Sequence, residues 1–443
     1  MDTPIFDFVL SYAEKGGSRF HMPGHKGMAR LGCESWDITE IHGADALYEA
    51  EGIIAESEKN ASALFGTKRS FYSTEGSSQC IRAMLYLALT NRAEGSLPLV
   101  VAARNVHKSF VYAAALLDLD VQWLWPEEGA SLCSCPVSAA QLERCLDSLS
   151  APPAAVYITS PDYLGGMADV SALAELCHRR GTILMVDNAH GAYLRFLRPS
   201  MHPMDLGADI CCDSAHKTLP VLTGGAYLHI AKNAPSDFAD NAKTALALFG
   251  STSPSYLILS SLDLCNRELA GDYPERLVTA TEAVKRLKIR LGSAGWTVEA
   301  SDPLRITLRV PTALNALSLS QSLGERGIEC EFADDEHLVL MLTPDNTGAE
   351  LELFAETLGE NRLPYEEKAA LSLSCGERVM SIRKALFAPH ESVEAEKALG
   401  RVCGTPTVSC PPAIPIVVSG EIIGEEAISL FRRYGVKSVD VLK

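Results

Sequence analysis

From Leu99 onward, short apolar runs alternate with longer stretches at helical spacing. The runs are LVVAA at 99–103, AAVYITS at 154–160, ILMVD at 183–187, ICCD at 210–213 and AYLHI at 226–230. Runs that are apolar throughout belong to strands covered on both faces, and segments such as Ser171 to Arg180 between them supply covering helices. The pattern predicts an α/β fold with a mostly parallel central sheet. Earlier in the chain, Phe6 to Tyr12 is a short amphipathic start. Glu49 to Phe65 places Ile53, Ile54, Ser57, Ala61 and Leu64 near one helical face, and Ile81 to Leu89 repeats the helical spacing. After Tyr256 a long helical stretch runs to about residue 292. Gly292 to Thr297 reads as a boundary. It divides the chain into residues 1–290, an N-terminal arm and large domain, and residues 291–443, a smaller α+β region. In that region Pro303 to Val310 and Cys330 to Leu342 predict strands, the second interrupted by the acidic turn Ala333-Asp334-Asp335-Glu336. The last segment, from about Tyr365, holds a proline-stiffened strand between Cys410 and Glu421.

Composition narrows the class. The chain has 443 residues, 47% hydrophobic and 21% charged, which fits a globular protein and neither a disordered nor a membrane one. Its net charge of −17 argues against a nucleic-acid surface and suits a cationic small molecule. No basic leader and no run of membrane-spanning length is present, so the expected location is cytoplasmic, with no membrane partner. The thirteen cysteines, among them Cys177, Cys211, Cys212 and Cys265, lie in apolar contexts and read as reduced core residues. Cys133 and Cys135 are too close for a zinc knuckle, and Cys145 and His178 complete no standard spacing, so no metal is expected.

In a sheet of this kind reactive groups gather at the carboxyl ends of strands, a rule that selects His107, Ser160 to Tyr163, Asp187 and Lys217. Lys217 lies between Ile210–Cys212 and Leu219–Leu222, both apolar, and a lysine in such surroundings is available as a nucleophile toward a carbonyl. Ser214 and His216 add a hydroxyl and an imidazole, suited to a phosphate on the same carbonyl compound, as in pyridoxal phosphate (PLP). The plainer reading of Lys217 is a turn lysine. Ser70 to Cys80 is a Ser/Thr/Gly loop opening onto a helix, where Gly76, Ser77 and Ser78 form an anion cradle or simply an N-cap. In DNAHGA at 187–192, Asp187 and Ala189 project to one side of a strand end. This offers a carboxylate for a pyridine nitrogen and a small flat surface for its ring, with His190 beside them. Asp187 also suits a helix cap, and His107 suits either ring stacking or a core histidine. HMPGHKG at 21–27 is a shaped loop carrying His25.

Taken together, HMPGHKG, RNVHKS at 104–109, DNAHGA, SAHKTLPVLTGG at 214–225, STSPSY at 251–256 and PPAIP at 411–415 resemble the Orn/Lys/Arg decarboxylase family. The likeness runs over nearly the whole chain. It implies the aminotransferase-like fold type I and PLP as cofactor. Lys217 is then the Schiff-base lysine, Asp187 the ring-nitrogen partner and His107 the stacking residue. Gly76, Ser77, Ser78, Ser214 and His216 are implied phosphate ligands, together with Ser251 or Thr252 from a neighbouring subunit, so a homodimer with shared sites is implied. Because the chain begins almost at HMPGHKG, it resembles the short members without an N-terminal wing domain. Five positions depart from the family pattern: Glu75, Asp162, Asn188, Ala413 and Ser419.

The expected reaction is decarboxylation of a basic amino acid, arginine, lysine or ornithine, to the amine. Lys217 or a nearby histidine returns the proton to Cα. His25 is counted with the substrate-side residues, and an acid must meet the distal cation: Glu421 first, then Asp334 and Glu331. Two alternatives stand beside this. One is transamination or β-elimination on the same fold, which Arg305 or Arg383 directed at the cofactor would favour. The other is a paralogue that binds PLP without turnover.

Overall fold

A computed structural model describes residues 1–126, 133–364, 376–408 and 413–443. Seven strands form the main sheet: β1 (Arg69–Ser73), β2 (Leu97–Ala103), β3 (Asp120–Leu124), β4 (Pro153–Thr159), β5 (Leu184–Asp187), β6 (Ile210–Asp213) and β7 (Ala226–Ile230). Their order is β1-β7-β6-β5-β4-β2-β3. β2 pairs parallel with β3 and β5 parallel with β6, whereas β7 runs antiparallel to both β1 and β6. β4 to β7 are buried almost throughout, which is why each reads as an unbroken apolar run.

β1 overlaps, from Ser70 to Ser73, the stretch read from the sequence as loop. Its polar Ser70 and Ser73 break the apolar run, yet both are buried and bonded, Ser70 Oγ to His229 Nδ1 at 2.8 Å and Ser73 Oγ to Gln79 Oε1 at 2.5 Å. The helix read from Glu49 begins at Ile53, because Asp45 accepts from the amides of Gly52 and Ile54 and fixes the first turn there. The long helical stretch is two helices, Tyr256–Leu269 and Tyr273–Ser293, separated at Gly271.

The chain packs as two compact units. The first comprises residues 1–96, 154–156 and 170–275. In it α1 (Pro4–Glu14), α2 (Ile53–Phe65) and α3 (Ser77–Thr90) accompany β1, β5, β6 and β7, and Phe65 packs on Tyr227 and His229. The second comprises residues 97–153, 157–169 and 276–443. It holds α4 (Lys108–Leu117) and a smaller antiparallel sheet, β8 (Thr297–Glu299), β9 (Arg305–Arg309), β10 (Phe332–Ala333) and β11 (His337–Met341), in the order β10-β11-β9-β8. The predicted interruption at 333–336 is the turn of the β10–β11 hairpin. Leu164, Phe332, Val339, Ile416 and Phe431 belong to one core cluster of this unit. Among the described residues no helix is long and apolar enough to cross a membrane.

Candidate active site

In the first unit, the carboxyl ends of β5 and β6 carry the groups singled out from the sequence. Parallel pairing sets Asp187 opposite Cys212, and Asp187, 2% exposed, accepts from the amide of Ala189 at 3.2 Å. The Cys212 thiol lies 3.7 Å from the same carboxylate oxygen. Beyond β6 the chain makes one helical turn, Ala215–Thr218, which sets Lys217 half-buried with Nζ 2.9 Å from His190 Nε2. Lys217 and His190 are therefore in contact, a pairing that spacing along the chain did not indicate.

The anion cradle takes shape around Gly76. Its φ of +70° is the left-handed region that glycine enters without strain, and its amide donates to Gly224 O at 2.7 Å. A side chain on Gly224 would bring a Cβ within 2.9 Å of Thr74 O, so the two loops meet backbone to backbone. α3 starts at Ser77 with no side chain capping its first turn, and Ser214 Oγ donates to Ser77 Oγ at 2.7 Å. His216 Nδ1 lies 3.0 Å from Gly225 O, and a carbonyl only accepts, so this nitrogen carries the ring proton. Burial, reinforced by the charge of Lys217, holds His216 below its ordinary value. Neutral His216 thus carries a bare Nε2, and it donates to a phosphate only once that nitrogen gains a proton.

Two departures from the family pattern find partners here. Glu75 accepts from the amide of Ser251, joining the STSPSY loop to the cradle within one chain. Asn188 is wholly buried and bonded to Asp213. Asp213, His202 and His229 were not singled out from the sequence, although Asp213 directly precedes Ser214. His202, Cys211 and Asp213 also bring ligand-type atoms within 4.8 Å of one another. Ser251 and Thr252 are exposed, and His25 bonds Asp37 at 3.1 Å.

In the second unit His107 caps α4, its Nδ1 accepting from the amide of Ser109 at 3.2 Å. Asp162 is buried, accepting from Gly166 N at 2.7 Å and Ser134 Oγ at 2.6 Å, so this departure closes the turn after β4. Burial raises its carboxyl above the ordinary value. Glu421 is 4% exposed and bonded to Val418 N at 2.8 Å and to Arg104 at 3.3 Å. The Arg104 guanidinium lies over Trp123 and Trp125 and donates to Pro415 O and Ile416 O. Asp334 accepts from the amides of Glu336 and His337 inside the hairpin turn, and Arg433 pairs with Asp335 and Glu336. Glu331 alone of the three acids is exposed, 3.0 Å from the Tyr163 hydroxyl. Arg305 Nη1 donates to Asp162 O and Tyr163 O, and Arg383 to Ala115 O and Leu116 O. Pro411 and Pro412 of PPAIP, Cys410 before them, and the segment start at Tyr365 lie outside the described residues.

The family model for the Orn/Lys/Arg decarboxylase major domain matches residues 3–309, more than half the chain. The chain belongs to the Orn/Lys/Arg decarboxylase family. An arginine decarboxylase of Bacillus subtilis is 28% identical, the alignment covering 97% of this chain and 92% of that protein. The Francisella novicida lysine decarboxylase LdcF superposes with a TM-score of 0.79 at 16% identity, covering 100% of this chain and 81% of that one. A high-resolution structure of SPT with PLP superposes over 81% of this chain and 83% of that one, at 15% identity and a TM-score of 0.56. The fold of this decarboxylase is therefore the aminotransferase-like fold type I; its main sheet is mostly parallel, as the sequence predicted, and has seven strands.

Proposed function

We propose that this decarboxylase uses PLP to convert a basic amino acid to its amine and carbon dioxide, with arginine the first substrate to test and lysine and ornithine the others. The observation that carries the reading is the grouping, in one unit, of Lys217, Asp187 and a phosphate cradle built from Gly76, Ser77 and Ser214. The donor set fits the cofactor. An uncapped helix start and serine hydroxyls suit a phosphate, an amine suits an aldehyde, and a buried carboxylate suits a cationic ring nitrogen. When bound, PLP supplies a sink for the electron pair left as carbon dioxide departs.

The chain's own residues do the rest. Lys217 holds the cofactor through Nζ. Asp187, its carboxylate shielded from water, keeps a proton on the ring nitrogen, and Ala189 gives the ring a flat support. His107 takes the stacking role on the family resemblance alone. Ser78 and His216 complete the phosphate ligands with Ser77 and Ser214. Of the three acids considered for the distal cation, Asp334 and Glu421 are buried and bonded within their own unit, so Glu331 is our choice. Transamination is less well supported, since Arg305 and Arg383 both donate to backbone carbonyls.

We also read the protein as a homodimer with shared sites. The loop around HMPGHKG exposes Phe20 (95%) and Leu31 (89%), and Ser251 and Thr252 are exposed for a partner's phosphate. Incubating the PLP-loaded protein with arginine, lysine and ornithine and measuring carbon dioxide and amine tests the reaction. Turnover of none of them would sink it. Sedimentation analysis of the same preparation tests the dimer.

A further inference from the structure

We propose that His190 is the base that takes the proton from Lys217, and so makes the lysine amine nucleophilic when the cofactor aldehyde arrives. This rests on the reading of Lys217 as the capturing amine. Nζ and Nε2 stand 2.9 Å apart, and His190 is only 6% exposed, which limits competition from water for the contact. An ammonium only donates, so Nε2 meets it with a lone pair and the ring proton sits on Nδ1.

The step changes one proton. The N–H bond at Lys217 Nζ breaks, its electron pair stays on Nζ, and a new N–H bond forms on His190 Nε2, moving the positive charge to the imidazole. Nothing is oxidised or reduced, and the imidazolium returns the proton when water leaves. Base assistance of this kind changes rates by roughly 10²- to 10⁴-fold. The geometry supports it because His190 is three residues beyond the end of β5 and Lys217 four beyond the end of β6, two strands paired directly.

The test follows capture of PLP at Lys217, quenched with borohydride at timed intervals and read by peptide mass spectrometry, so it does not depend on turnover. His190→Gln keeps an acceptor for the lysine but has no basic nitrogen, and His190→Ala removes both. Both are expected to slow capture by at least about tenfold, and added imidazole is expected to restore the alanine variant in proportion to its concentration. Capture by His190→Gln at the unmodified rate, or no response of His190→Ala to imidazole, would overturn the proposal. Failure of the unmodified chain to capture PLP at residue 217 is a different result, and it would overturn the cofactor reading as well.

Discussion

Asn188 Nδ2 donates to Asp213 Oδ1 across 2.7 Å, with neither residue exposed to solvent. The other carboxylate oxygen accepts from His202 Nε2 at 3.0 Å and His229 Nε2 at 3.2 Å. His202 Nδ1 accepts from the amide of Met204, so the His202 proton is on Nε2, facing the carboxylate. Burial pushes Asp213 up, but the two histidines outweigh it and hold the carboxyl well below its ordinary range. An ionised aspartate therefore stands behind the strand end that carries Asp187, held by three N–H donors.

This arrangement accounts for Asn188 where the family pattern has glutamate. Asn188→Glu would place a second carboxylate against Asp213 with no water to separate them. The expected loss is roughly 3 kcal/mol or more of unfolding free energy, measured by urea titration at pH 7. A variant within about 0.5 kcal/mol of the parent, the ordinary scatter of surface changes, would contradict it.

Asp263 gives a pH dependence of known sign. Its carboxylate accepts from the amides of Ile5 and Phe6 at the start of α1 and from Ser57 Oγ. Burial raises it from 3.8 to about 6. The folded chain thus holds this proton more tightly than the unfolded one, so the contribution of Asp263 to stability is greatest below pH 4 and falls as pH rises to about 6. The fall is on the order of 2–3 kcal/mol. Comparing the parent with Asp263→Asn between pH 4 and 7, the stability difference should drift against the parent as pH rises; a constant difference counts against the assignment.

Ala413 has φ of +60°, a conformation that costs an L-residue roughly 1–2 kcal/mol and glycine little. Its carbonyl accepts from the amide of Lys108, next to His107. Ala413→Gly, which restores the glycine of the family pattern, should raise stability by about 1 kcal/mol, seen as a higher midpoint in thermal or urea unfolding. A lower midpoint would mean that the methyl group packs better than the backbone strain suggests.

Glu421 and Glu331 should separate stability from substrate recognition. Glu421→Gln uncouples a buried guanidinium from its carboxylate and is expected to cost roughly 3 kcal/mol. Glu331→Gln, at an exposed position, should change stability by less than about 0.5 kcal/mol while raising KM for the preferred amino acid at little cost to kcat. Equal KM for the parent and Glu331→Gln would remove Glu331 from the substrate site.

The strands β4 to β7 and the positions of Lys217 and Asp187 followed from the sequence by itself, because an apolar run covered on both faces is a local pattern and a reactive residue after it is local too. The partners of the buried polar groups did not. Asn188 and Asp213 are 25 residues apart, Lys217 and His190 27, and Arg104 and Glu421 317, and no periodicity links them. The same holds for β1, whose buried serines look like loop residues until His229 and Gln79 are brought to them. Desolvation decides these cases: a polar side chain stays inside only where the fold delivers a matching donor or acceptor. Tertiary structure alone determined that match, and with it which acids are held inside their unit and which histidine reaches the lysine.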